Sequence, residues 1–297
     1  MQISASMVKE LRDKTGAGMM DCKKALGETA GDFEQAVDWL RQKGIAKAAK
    51  KADRVASEGL TFAYSEGKKG VLVEVNAETD FVAKNEQFTK FVQELSELLL
   101  VSGETDVEKI NAMAWPSGGT VGEQLTELIA TIGENMSIRR VSILSVSKGA
   151  VASYVHMNGK IAVLTALSAD EESAKLSETA RNVAMHVAAA NPQALNRDCV
   201  DAALVEKEKQ ILVEQAKDSG KPENIIEKMV EGRMNKFFEE ICLTEQAFIM
   251  DTDQKVKDVV ASAAPGAKVT DFARFELGEG VEKKANDFAS EVASMAQ

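Results

Sequence analysis

An α+β fold with a duplicated core is predicted by three observations. Two apolar hairpin patterns, opening at Gly59 and Gly149, are each followed by a helix-spaced pattern. A short helical stretch with Gly-rich joints precedes both, and a charged helical hairpin interrupts the second. Both units read as a hairpin plus a helix, which gives a duplicated α+β core with antiparallel sheets.

In the first copy, Gly59-Leu60-Thr61-Phe62-Ala63-Tyr64 and Val71-Leu72-Val73-Glu74-Val75-Asn76 flank a Gly/Lys turn. Such Val/Leu-rich runs read as half-buried strands. The pattern then changes to helical spacing at Phe88, Phe91, Val92, Leu95, Leu98 and Leu99, with Asn85 as N-cap. Trp115-Pro116-Ser117-Gly118-Gly119 is a loop, and Ile138 to Val146 is a further strand. The second copy runs from Gly149 to His156, turns at Asn158-Gly159, and continues through Lys160 to Ala166. Asn-Gly between apolar runs is a hairpin signal. A helix carrying Leu176, Val183 and Val187 follows.

The N-terminal stretch is read as three helices. Ser4 caps the first, which carries Met7, Val8 and Leu11; the second contains Met19 to Leu26. The third starts at Asp32, with Gln35 placed for a capping box, and stops near Gly44. Ile45 to Gly59 is expected to be a helical linker whose Lys47, Lys50, Lys51 and Arg54 form a solvated basic face, the alternative being a strip that orients a negatively charged partner. Ala203 to Lys217 and Glu223 to Ile241 are helices joined by a short turn, an arm that either self-associates or packs back. Lys268 to Leu277 is a strand, and Val281 to Met295 a terminal helix. The expected units are thus 1–54, 55–146, 147–198 with 244–279, the arm 199–243, and 280–297.

Composition narrows the function. A net charge of −11 over 297 residues argues against non-specific nucleic-acid binding. Cys22, Cys199 and Cys242 have no paired spacing, which excludes a disulfide framework or a Cys-based zinc motif and suits a reducing compartment. Met1 to Ser6 lacks the features of a signal peptide and no run approaches membrane-spanning length, so a cytoplasmic location is expected. The two histidines, His156 and His186, lie in no metal-binding spacing, and His186, in an apolar helical context, reads as a core or helix-surface histidine. Gly278-Glu279-Gly280 lacks the rest of a phosphate loop. No cofactor and no covalent chemistry are expected.

Thr79-Asp80-Phe81-Val82 stands at a strand-to-helix connection, where side chains project from a rigid scaffold. An acid beside a large aromatic suits a wedge, the ring entering an apolar crevice while the carboxylate competes for cations or donors. The alternative is a core phenylalanine beside a capping aspartate, and on residue chemistry alone that is the more usual arrangement. Met19 and Met20 follow a turn and are read either as adaptable surface contacts or as core.

Thr15-Gly16-Ala17-Gly18-Met19-Met20-Asp21-Cys22-Lys23-Lys24-Ala25-Leu26 resembles the N-terminal signature of the bacterial elongation factor Ts family, and Thr79 to Asn85 is similar to its second signature. Gly133-Glu134-Asn135, Ile138-Arg139-Arg140 and Phe272 to Gly280 fit the same family. Ala77 stands where many members have Cys, and the Trp115–Gly119 loop is unlike its relatives. The resemblance implies a guanine-nucleotide exchange factor for the translational GTPase elongation factor Tu. It implies that the N-terminal module has a ubiquitin-associated-like fold and docks through Arg12, Met19 and Met20. Asp80 and Phe81, within Thr79 to Val82, would intrude beside the partner's magnesium site, and His156 would touch another domain. The segment 199–243 would be a coiled-coil arm, and the helix beyond Gly280 would embrace the nucleotide domain. A binding adaptor with a passive core, or an enzyme with an unrecognised carboxylate site, are the readings from other classes.

Overall fold

A computed structural model describes residues 3–15, 17–217 and 222–281. The terminal helix expected beyond Val281 and the turn residues Ser219, Gly220 and Lys221 lie outside the described residues. The N-terminal helices are α1 (Ala5–Thr15), α2 (Met19–Glu28) and α3 (Phe33–Ala49). The first half of the core holds β1 (Glu58–Glu66), β2 (Lys69–Ala77), α4 (Glu86–Ser102), α5 (Val107–Ala112), α6 (Val121–Ile132) and β3 (Met136–Ser145). The second half starts with β4 (Gly149–His156), β5 (Ile161–Ser168) and α7 (Ala174–Ala190). The arm α8 (Ala202–Lys217) and α9 (Glu223–Ile241) follows, then β6 (Ala247–Phe248), β7 (Asp251–Lys255), α10 (Val256–Ala261) and β8 (Lys268–Glu276).

The N-terminal helices close on Val8, Leu11, Cys22, Ala25, Leu26 and Ala36. Ser4 Oγ accepts the Met7 N–H at 3.2 Å, and Asp32 Oδ1 accepts the Gln35 N–H at 3.0 Å, so both expected starts are capped. The third helix does not stop near Gly44 but runs on to Ala49. Gly44 serves close packing instead: a Cβ there would lie 3.2 Å from Ala130 Cβ on α6. The basic stretch also differs from a solvated helical linker, because it is helical only to Ala49 and most of its cations are engaged. Lys47 pairs with Asp21 at 2.5 Å, Lys51 donates to the Gly133 carbonyl, and Arg54 reaches Glu78 at 3.4 Å.

The duplicated core forms two antiparallel sheets, ordered β1-β2-β3 and β4-β5-β8. Side chains alternate across each strand, so each sheet has two apolar faces to cover. On the first sheet Val71, Val73 and Val75 pack with Phe88, Leu95 and Leu99 of α4 and Leu125 of α6. On the second, Val163 and Leu167 meet Leu176, Val183 and Val187 of α7. The opposite faces meet each other through Ala63, Leu72, Leu144, Val151, Leu164 and Ala166. The layers are therefore helix, sheet, sheet, helix. Gly70 permits this contact: a Cβ there would lie 2.8 Å from both Leu164 Cδ2 and Val151 Cγ1.

Between the layers, Glu74 on β2 is 0% exposed. It accepts from Arg139 Nη1 at 2.9 Å, Arg140 Nε at 2.6 Å, Asn76 Nδ2 at 3.1 Å and the Gly278 N–H at 2.8 Å. Burial opposes its ionisation, but these donors prevail and hold the carboxyl below its ordinary range. Arg140 continues to the Glu276 carbonyl at 3.0 Å and stacks over Phe275 at 4.2 Å. One carboxylate thus ties the end of β8 to the first sheet.

His186 is a core histidine. Its Nε2 donates to Gln246 Oε1 at 2.8 Å, and its Nδ1 accepts the Ile249 N–H at 3.2 Å. Burial pushes its pKa down, with Gln246 opposing. Trp115 is buried against Phe91 with ring centroids 5.3 Å apart, so its loop plugs the first core. In the arm, Leu212, Ala216 and Val230 form the helix seam, and Arg197 grips Glu245 at 2.5 Å at its base.

Candidate functional site

The connection from β2 to α4 is fixed at both ends. On the strand side, Thr79 donates from its N–H to Glu134 Oε2 at 2.9 Å and from its hydroxyl to Glu134 Oε1 at 2.7 Å. The exchange is reciprocal, since Glu78 Oε1 accepts the Asn135 N–H at 2.6 Å. Asn135 in turn donates to the Arg54 carbonyl at 2.7 Å, binding the inter-module segment to the same corner. On the helix side, Val82 is buried in the first core and opens a 3-10 turn, Val82–Lys84. Asn85 then caps α4, accepting from Gln87 N at 2.9 Å and Phe88 N at 3.3 Å.

Between these anchors Asp80 and Phe81 face solvent, and Phe81 is 76% exposed. The arrangement usual for an aromatic, burial in the core, is therefore not the one adopted. Of the four residues Thr79 to Val82, Thr79 and Val82 are tethers and Asp80 and Phe81 are the presented pair. An exposed ring of this size on a braced turn leaves apolar surface in water that its own scaffold does not cover.

The other residues expected to contact a partner are also on the surface. Met19 and Met20 are 56% and 76% exposed, and Arg12 is exposed on α1. Their neighbour Asp21 is held to α3 by Lys43 and Lys47, each at 2.5 Å, with Lys43 the larger cause of its lowered pKa. That grip fixes α2 with its methionines outward. His156 ends β4 in an exposed position.

Register brings the two loops to one end of the double sheet. Glu58 pairs across β1 and β2 with Ala77, the last residue before the Asp80 loop. The β4–β5 turn joins that end through Lys160, 2.7 Å from Glu58, and through the Gly159 carbonyl, which accepts the Thr61 N–H at 2.7 Å. His156 and the Asp80–Phe81 pair therefore emerge from the same edge. Met157, 66% exposed with φ +49°, extends the apolar surface there. Neither Met157 nor the Glu134–Asn135 clamp is identifiable as part of a site from local sequence; Gly133 signals only a helix end. A cleft of about 580 Å³ between α3 and α6, lined by Val37, Leu40 and Ile45, holds none of the presented residues. Among the described residues no three His, Cys, Asp or Glu side chains cluster as metal ligands.

The clamp makes a local prediction. Glu134→Ala leaves the Thr79 N–H without its acceptor, so its amide should exchange with solvent at least about tenfold faster. Hydrogen exchange resolved at residues 78–82 measures this. Unchanged protection would mean that the loop is held by Val82 and Asn85 alone.

The family model described as Elongation factor TS matches residues 78–279. The chain is 55% identical over 302 residues to Elongation factor Ts of Magnetococcus marinus, covering 100% of both chains. It is 56% identical over 306 residues to that of Paramagnetospirillum magneticum, covering 99% of this chain and 97% of the relative. The corresponding protein of Rhodospirillum centenum is 55% identical over 305 residues, with 99% of each covered. With its core matched by the family model and more than half of its residues shared from end to end, this chain belongs to the elongation factor Ts family.

Proposed function

We propose that this chain is a guanine-nucleotide exchange factor that binds elongation factor Tu and promotes GDP release, allowing GTP to reload during translation elongation. The observation that carries the reading is the exposed Asp80–Phe81 pair on a turn braced at both ends. In this mechanism the ring enters the partner beside its magnesium site while the carboxylate competes for the metal and phosphate contacts that hold GDP. Residues 1–54 dock on the nucleotide domain through Arg12, Met19 and Met20, and His156 contacts a second domain. The two core halves, 55–146 and 147–198 with 244–279, set the spacing between these contacts, and the arm 199–243 projects from them. The factor performs no covalent chemistry and works in the cytoplasm; no helix among the described residues is long and apolar enough to cross a membrane.

The test is release of a fluorescent GDP analogue from purified elongation factor Tu. Acceleration that rises with the concentration of this chain and saturates supports exchange. No acceleration by folded protein on active GTPase would sink the proposal. Residues 1–54 alone should bind without accelerating release, because the wedge lies outside them; full activity in that fragment would favour an adaptor.

A further inference from the structure

Tyr154 and His156 lie two residues apart on β4, so both side chains leave the same face of the sheet. The Tyr154 hydroxyl is 3.0 Å from His156 Nδ1, with the ring centroids 5.8 Å apart and the planes tilted by 30°. Tyr154 packs, partly buried, against the second core, whereas His156 is exposed. A phenol anchored in the scaffold therefore holds an imidazole at the surface. A phenolic O–H is a better donor than its oxygen is an acceptor, and an unprotonated imidazole nitrogen accepts strongly. The hydroxyl accordingly donates to Nδ1, and the ring proton resides on Nε2.

We propose that Tyr154 is a positioning residue that locks His156 in the Nε2-protonated tautomer and presents that N–H to the partner protein as a donor. The tautomer does not depend on the exchange-factor reading; the use of the donor rests on it. Fixing the ring before association removes part of the ordering cost that an untethered surface side chain would incur on binding.

The tautomer is read from nitrogen-15 correlation spectra of the full chain, recorded near about pH 9 where imidazoles are neutral. The chain has 2 histidines, and His186, fixed as Nε2–H by its two bonds, is an internal standard. His156→Gln assigns the second ring by its loss. Wild-type His156 should match the His186 pattern, and Tyr154→Phe should shift it to a mixture of tautomers. A mixture in the wild type, or a pattern unmoved by Tyr154→Phe, overturns the assignment.

The role in binding is read in the exchange assay. Tyr154→Phe should raise the concentration needed for half-saturation about threefold to tenfold. The same change in a His156→Ala background should add nothing. Additive losses would show that Tyr154 acts independently of His156. If the wild type fails to accelerate GDP release at all, the exchange-factor reading falls, while the spectra still decide what Tyr154 does to His156.

Discussion

Glu74→Ala is expected to lower stability by about 3 kcal/mol, seen as a thermal midpoint lower by about 6 °C or more. The substitution removes an acceptor shared by two guanidinium groups, an amide side chain and a backbone N–H. Breaking such a buried cluster costs more than the cluster itself contributes, because donors are left behind without acceptors. Arg139 and Arg140 are 27% and 30% exposed, so water relieves part of the loss and places the effect at the lower end of the usual range. A midpoint within a degree of wild type would mean that the end of β8 is held by its pairing with β5 and the packing of Phe275 rather than by this carboxylate.

The same carboxylate gives a pH dependence with a definite sign. Its pKa is lower in the folded chain than in the unfolded one, so the unfolded state binds a proton first as pH falls. Its contribution is complete above the ordinary glutamate value of about 4.5, and is lost as pH drops through the lower folded value. Wild type should therefore lose its advantage over Glu74→Gln in acid unfolding below about pH 4 and keep it at neutral pH. Parallel stability curves for the two proteins across that range would contradict the assignment.

The elements that could be read in the sequence were those whose signal is local. The Val run of β2, the Asn85 cap and the helical spacing from Phe88 to Leu99 depend on neighbours a few residues away, and the structure forms each. β2 is buried on both faces rather than half-buried, because the second sheet covers the side that α4 and α6 leave open. Gly44 misled because a glycine late in a helix has two meanings, a C-cap or a close approach, and its contact at Ala130 lies far along the chain. The basic stretch misled for the same reason, since the partners of Lys47, Lys51 and Arg54 come from Asp21, Gly133 and Glu78. Glu74 looked like one carboxylate among many until β3 and β8 brought their donors to it. At the site, residue chemistry alone favoured a core Phe81 beside a capping Asp80, and only the family resemblance turned the balance to a presented pair; the Thr79–Glu134 clamp spans two elements and leaves no local pattern.

Phe81→Ala is expected to slow GDP release at saturating factor about 100-fold while complex formation with elongation factor Tu persists. A ten-thousandfold acceleration corresponds to about 5.5 kcal/mol off the dissociation barrier. Burying one phenylalanine ring supplies about 3 kcal/mol, roughly two of those four orders of magnitude. On the proposed mechanism the remainder would come from Asp80 and from dispersed contacts of Arg12, Met19, Met20 and His156, and binding should therefore survive. Because factor and nucleotide must weaken each other's binding by the same amount, the variant should also tolerate GDP in its complex more readily than wild type does. Stability should stay within about 0.5 kcal/mol, since a ring 76% exposed has little to lose on truncation. That separation of effects is what distinguishes a wedge from an anchor. If affinity collapsed while the saturated release rate stayed normal, Phe81 would be holding the partner rather than disturbing its nucleotide site, and the braced turn would be a docking knob.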